Sequence, residues 1–142
     1  MGNERINAMK ESIISYFNEM HNRCLEYNNS YQSNPNLVFP YNQAQLSAYQ
    51  DWINTTANQS NYFECDDLPW IDEIPIYAKT LIDAGVTEFA VTDRSSSLMS
   101  CLHSFANNGY NRISLCTVKR YEKRWQGTEV VSIQGVLLQL SD

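Results

Sequence analysis

The sequence has no apolar run near the roughly 20 residues that a membrane-spanning helix requires. Its first stretch, "MGNERINAMKESIISYF", carries acids where a signal peptide needs an unbroken apolar segment. Both absences lead us to expect a cytoplasmic protein without a membrane partner. Gly2 is followed by Ile6 where a myristoylation signal wants Ser or Thr, so lipidation is not expected. The five glycines form neither G-x-G-x-x-G nor a P-loop, which removes two familiar phosphate-cradling loops. The four cysteines, Cys24, Cys65, Cys101 and Cys116, never fall in C-x-x-C spacing, which excludes a zinc ribbon and a thioredoxin-like motif. Pairing His21 and Cys24 with Cys101 and His103 would supply four zinc ligands, but the two-residue step of the second pair suits a strand and not the helix expected there. Reduced thiols, no metal and no cofactor are the expectation.

Positive charge is missing from the whole middle of the chain. Between Arg23 and Lys79 there is no Lys or Arg, while Glu26, Asp51, Glu64, Asp66, Asp67, Asp72 and Glu73 all fall there. Residues 1–93 hold thirteen acids and four bases, a net of −9; residues 94–142 hold three acids and six bases, a net of +3, and the two sum to −6. An acidic middle repels nucleic acid and steers toward basic partners, including the basic nucleic-acid channels of other proteins.

What is present suffices for one folded domain over 1–142: 43% hydrophobic residues, 12% aromatic and only 18% charged. Ile6, Met9, Ile13, Phe17, Met20, Cys24 and Tyr27 recur at steps of three and four, which predicts a long amphipathic helix capped by Asn3 and ending near residue 28. Residues 27–62 are rich in Asn and Gln, yet Leu46, Tyr49 and Ile53, with Trp52 beside them, keep helical spacing and predict a second, shorter helix. In "DDLPWIDEIPIYAKTLIDAGV" an Asp precedes the first turn, Trp70, Ile74, Tyr77 or Ala78 and Leu81 share a face, and Gly85 ends a third helix; Pro75 means that its first turn is distorted or that the regular part begins there. "TEFAVT" then reads as a buried strand, 95–108 as a helix, and "RISLCTVKRY" and "TEVVSIQGVLLQL" as a hairpin turning at Trp125–Gly127. The order ααα-β-α-β-β predicts an α+β fold, mainly helical over 1–85 and β-α-β-β over 86–142, with the N-terminal helices packed on a small sheet containing antiparallel strands.

Three sites compete. The acidic, aromatic-rich middle offers Tyr31, Tyr49, Trp52 and Tyr62 as anchors and Asp51, Glu64, Asp66 and Asp67 as steering charges for a basic protein surface. The junction "TDRSSS" places Arg94, Ser95, Ser96 and Ser97 at a helix start, where they would hold a phosphate or carboxylate, or where Asp93 or Ser95 simply caps free backbone donors. The hairpin run "VKRYEKRW" interleaves Lys119, Arg120, Lys123 and Arg124 with Tyr121 and Trp125, a pattern that contacts phosphates and stacks bases; four bases are few for that task in a protein with pI near 4.8. Catalysis has little to stand on. Cys101 and His103 point about 200° apart on a helix and form no dyad, and nothing places His21 near either.

The stretch 71–110, "IDEIPIYAKTLIDAGVTEFAVTDRSSSLMSCLHSFANNGY", in which a helix ends in "AG", a strand follows and an "SS-x-LM" helix closes in a Gly-Tyr turn, resembles small uncharacterised proteins of bacterial plasmids, phages and other mobile elements. It covers under a third of the chain. That resemblance implies an accessory that binds a host or defence protein, and anti-CRISPR proteins share this size and acidity; it carries over no catalytic residue. The expectation is therefore a non-catalytic interaction protein that docks on a basic surface of a larger protein such as a CRISPR effector. A small-ligand or enzyme site at 93–97 and a nucleic-acid binder through 119–125 stand as alternatives.

Overall fold

The computed structural model describes residues 4–141, so the Asn3 cap and the Gly2 position lie outside the described residues. Eight elements follow in order: α1 (Glu4–Tyr31), α2 (Gln43–Ala57), β1 (Glu64–Cys65), α3 (Ile74–Asp83), β2 (Glu88–Val91), α4 (Leu98–Asn107), β3 (Arg112–Arg124) and β4 (Gly127–Gln139), with a single 3-10 turn at Ile71–Glu73. The fold is α+β, with helices first and the sheet toward the C-terminus. No described helix is long and apolar enough to cross a membrane.

The stripe of α1 explains its length. Ile6, Met9, Ile13, Phe17 and Met20 are all buried in the one hydrophobic cluster that also takes residues from α2, α3, α4 and the sheet. At the centre, Phe89 meets Phe105 and Tyr110 edge-on, with ring centroids 5.0 and 4.9 Å apart, and Tyr77 joins at 6.4 Å. Edge-to-face pairs match the positive ring edge to the negative ring face, adding to the burial of apolar area.

α2 departs from its expected face. Asn42 caps it in a reciprocal box: its side chain accepts from Gln45 N at 3.0 Å, while Gln45 Oε1 accepts from Asn42 N at 2.9 Å. Ala44, Ala48, Asp51, Trp52 and Thr55 are the buried residues, whereas Ile53 is exposed and Leu46 and Tyr49 are half-buried. The buried stripe mixes small and polar residues because its polar members are satisfied inside: Thr55 Oγ1 accepts from Glu64 N at 3.0 Å, and Asp51 accepts from Tyr77.

The sheet has four strands in the order β1-β2-β4-β3. β1 is two residues long, too short for any alternation, and pairs parallel with β2 (Glu64 opposite Ala90), with α3 as the crossover that a parallel pair needs. β2, β4 and β3 pair antiparallel, with Val91 opposite Val136 and Val136 opposite Leu115. Beyond that register β3 and β4 continue alone as a ribbon, and the outer edge of β3 meets the loop after α2: Asn61 N donates to Lys119 O at 3.0 Å, and Tyr121 N to Asn58 O at 2.8 Å.

α3 begins at Ile74, with Pro75 in its first turn, where a missing N–H costs nothing. No aspartate caps it, since its N-cap is Glu73 without a side-chain bond. At its other end Gly85 takes φ +87, and a Cβ there would lie 2.3 Å from Ser12 Oγ. That close approach lets Ser12 donate to Ala84 O at 2.8 Å and locks α1 against the end of α3.

Candidate functional site

Asp93, the residue after the β2 edge, organises the surface nearby. Its Oδ2 accepts from Leu68 N at 2.8 Å and its Oδ1 from Ser95 N at 2.7 Å. Burial alone would raise Asp93, but these backbone donors outweigh it and hold its carboxyl below the ordinary range. Asp93 thus ties the 66–73 loop to the α4 junction. It does not cap α4, whose N-cap is Ser97 with no side-chain cap bond.

With Leu68 fastened and Pro69 buried, the chain turns Trp70 outward, 78% exposed, and Ile71 beside it is half exposed. Trp70 does not join the buried face of α3, as its spacing from Ile74 had predicted, because the helix begins only after it and so does not set its phase. Trp70, Ile71, Asp67 and Glu73 line one side of a cleft of about 670 Å³; Ser95, Ser97 and Ser100 line the other. The charged residues of its lining are Asp67, Glu73 and Asp93, all acids. Exposed Asp66 and Asp72 add negative charge to the same loop.

The cleft sets serine hydroxyls opposite carboxylates. Ser95 and Ser97 hydroxyls lie 3.1 Å from each other, and no histidine, lysine or cysteine lines the cleft. His21 stacks on Tyr49, which bonds its Nδ1 at 3.3 Å, and His103 is exposed on α4. Asp93, already occupied by two N–H groups, is a poor base. No group of three or more His, Cys, Asp or Glu poised for a metal occurs among the described residues.

The residues expected to meet a partner separate into two sets. Asp66 and Asp67 are exposed, Tyr31 is exposed beside Tyr27, and Tyr49 and Tyr62 are half-buried. Asp51, Trp52 and Glu64 do not face solvent. Trp52 stacks on Phe63 with centroids 6.2 Å apart. Glu64 is 5% exposed, pairs with Arg120, and accepts from Thr92 Oγ1 at 2.5 Å and Ser60 Oγ at 3.3 Å. Asp51 is 5% exposed and accepts from Tyr77 Oη at 2.5 Å; burial pushes it up to about 8, the Tyr77 bond pulls it down, and Asp66 and Asp67 push it further up.

The other two candidate sites lose their expected shape. Arg94 lines a separate small depression with Leu98 and Leu115, apart from Ser95 and Ser97, and Ser96 lines neither cavity. Asp93 occupies the Ser95 N–H that an anion would need. In the hairpin Arg120 is held by Glu64 and lies 3.6 Å from Glu122, and Arg124 lies 3.6 Å from Glu122 and 3.2 Å from Glu129. Only Lys119 and Lys123 of the four keep an unpaired charge among the described residues.

Residues 47–140 match the family described as domain of unknown function DUF7698. The chain belongs to this family. No curated protein and no solved structure matches it. The DUF7698 span starts on α2 and runs to the residue after β4, so it takes in the whole 66–73 loop and the α4 junction, while α1 packs onto the same core from outside it. Trp70, Ile71 and Glu73 are the DUF7698 residues that the sequence expectation left out of the site. Their signal was the run "PWIDEIP": a proline at each end keeps a helix from enclosing Trp70.

Proposed function

We propose that this DUF7698 protein is a non-catalytic interaction protein that takes a basic, arginine- or lysine-bearing segment of a larger protein into the Trp70 cleft. The supporting observation is a largely exposed tryptophan in a cleft whose charged lining is entirely acidic. An exposed indole face attracts a cation within about 6 Å of the ring centre, and buried tryptophans and arginines supply much of the energy at protein interfaces. Asp67, Asp72 and Glu73 would add the field that speeds encounter with a positive surface. The same carboxylates disfavour an anionic ligand there. The protein would act in the cytoplasm, where its four thiols stay reduced. The resemblance to mobile-element proteins extends the proposal to the basic nucleic-acid channel of a defence protein such as a CRISPR effector.

Affinity capture from lysate with three baits tests this reading: the native protein, Trp70→Ala, and Asp67→Lys combined with Glu73→Lys. A partner that the native bait holds, that salt releases, and that both variants lose supports it. A captured set that neither variant nor salt changes refutes it.

A further inference from the structure

A second cleft, of about 760 Å³, lies between the end of α2 and the hairpin, where Tyr121 N bonds Asn58 O. Its volume falls within the range of small-ligand sites. Its charged lining is mixed: Asp66, Arg120, Glu122 and Lys123. Arg120 is bound to buried Glu64, and Glu122 stands 3.6 Å from both Arg120 and Arg124, so these charges answer one another. Asp66 and Lys123 have no ion-pair partner among the described residues. They sit on different elements, one just past β1 and the other on β3, and Tyr121 lines the space as well. Gln59, in the same wall, takes φ 51° as the left-handed residue that closes α2, where Gln59 N donates to Thr56 O at 3.2 Å and Ser60 N to Thr55 O at 3.0 Å.

We propose that this cleft binds a small zwitterion, a short peptide or amino-acid derivative whose ammonium pairs with Asp66 and whose carboxylate pairs with Lys123. A plain anion would meet Asp66 and Glu122, and a plain cation would meet Lys123 and the remaining donors of Arg120. Only a ligand bearing both charges is matched by the two groups left over. The site is independent of the Trp70 cleft, because Asp66 lines this cavity and the neighbouring Asp67 lines the other.

Trialanine, N-acetyl-trialanine and trialanine amide share one backbone and differ in their terminal groups and charges, and serve as probes in a titration followed by backbone amide shifts. At millimolar concentration trialanine is expected to move the amides of residues 57–59, 66 and 120–123. The acetylated and amidated peptides should bind about two- to fivefold more weakly, as should trialanine to Asp66→Asn and to Lys123→Gln, the size of one exposed charge pair. Equal affinity for the three peptides, affinity unchanged in both variants, or no movement of these amides overturns the proposal. Both substitutions fall on exposed side chains outside the core, so unaltered spectra of the free variants will show that the fold is kept.

Discussion

Replacing Asp51 by Asn should stabilise the protein at neutral and alkaline pH and leave it nearly unchanged in mild acid. In the folded chain Asp51 is pushed up to about 8, chiefly by burial, from an ordinary 3.8. The native state therefore binds this proton more tightly than the unfolded chain does. Its contribution is fully present below pH 4, declines as pH rises, and is gone above the folded value near 8. At 1.36 kcal/mol per pH unit the interval from 3.8 to about 8 caps the effect at roughly 6 kcal/mol; water penetration and relaxation around a buried carboxylate reduce that to a few kcal/mol. Asn keeps an oxygen for the Tyr77 hydroxyl and cannot ionise.

The assay is urea unfolding followed by circular dichroism at pH 5, 7 and 9 for native protein and Asp51→Asn. Ionisable groups away from Asp51 are common to both proteins and cancel in the difference. Cys65 and Tyr77, the neighbours of Asp51, are pushed well above their ordinary values by burial and by the Asp51 charge, so they stay neutral throughout. The expected difference is within about 1 kcal/mol at pH 5 and grows by about 2–4 kcal/mol toward pH 9 in favour of the variant. Parallel pH profiles, or a variant less stable at pH 9, would refute the reasoning.

The Glu64–Arg120 pair should show the signature of a buried salt bridge. Glu64→Leu or Arg120→Met alone should cost about 2–3 kcal/mol by stranding the other charge, while the double replacement should lie within about 1 kcal/mol of native protein; additive losses in denaturant unfolding would contradict this. Gly85→Ala and Gly127→Ala both place a side chain at positive φ but in different surroundings, at φ +87 against Ser12 and at φ +122 in open space. Strain alone should cost Gly127→Ala about 1–2 kcal/mol, and the Ser12 clash should add about 1–3 kcal/mol at Gly85. Equal melting-temperature losses would show that Ser12 yields freely.

Periodicity made most of the architecture legible. The α1 stripe is apolar at every buried step, and the hairpin strands are long and rich in β-branched residues, so tertiary packing had little to override. On α2 the apolar residues Leu46, Tyr49 and Ile53 pointed to one face, and the chain buried Ala48, Asp51 and Thr55 on another. Hydropathy prices Asp51 and Thr55 as exposed because it does not know that Tyr77 and the Glu64 amide wait for them across 26 and 9 residues of sequence. β1 was hidden for the same reason. A two-residue strand has no pattern of its own, and its parallel pairing depends on α3 bringing β2 alongside. The site was half legible: the acidic segment and the serine junction were both noticed, but their union in one cleft rests on Leu68 N reaching Asp93, a bond across 25 residues.

Charge counted along the chain and charge presented at the surface are different quantities here, and the difference decides between the candidate surfaces. The acidic excess loses Asp51 and Glu64 to the interior, yet Asp66, Asp67, Asp72 and Glu73 remain within eight consecutive residues around Trp70. The basic run loses more of its charge, since Arg120 and Arg124 are answered by Glu64, Glu122 and Glu129. Lys119 and Lys123, four residues apart on a strand, stand about 13 Å from each other, each beyond the roughly 8 Å over which the other's field acts at physiological salt. A nucleic acid would find two isolated cations and the exposed Trp125 on the hairpin, whereas a basic segment would find four acids and an indole on one short loop. The asymmetry visible in the sequence survives folding only at its acidic end, and it is there that the proposed partner would gain both steering and an anchor.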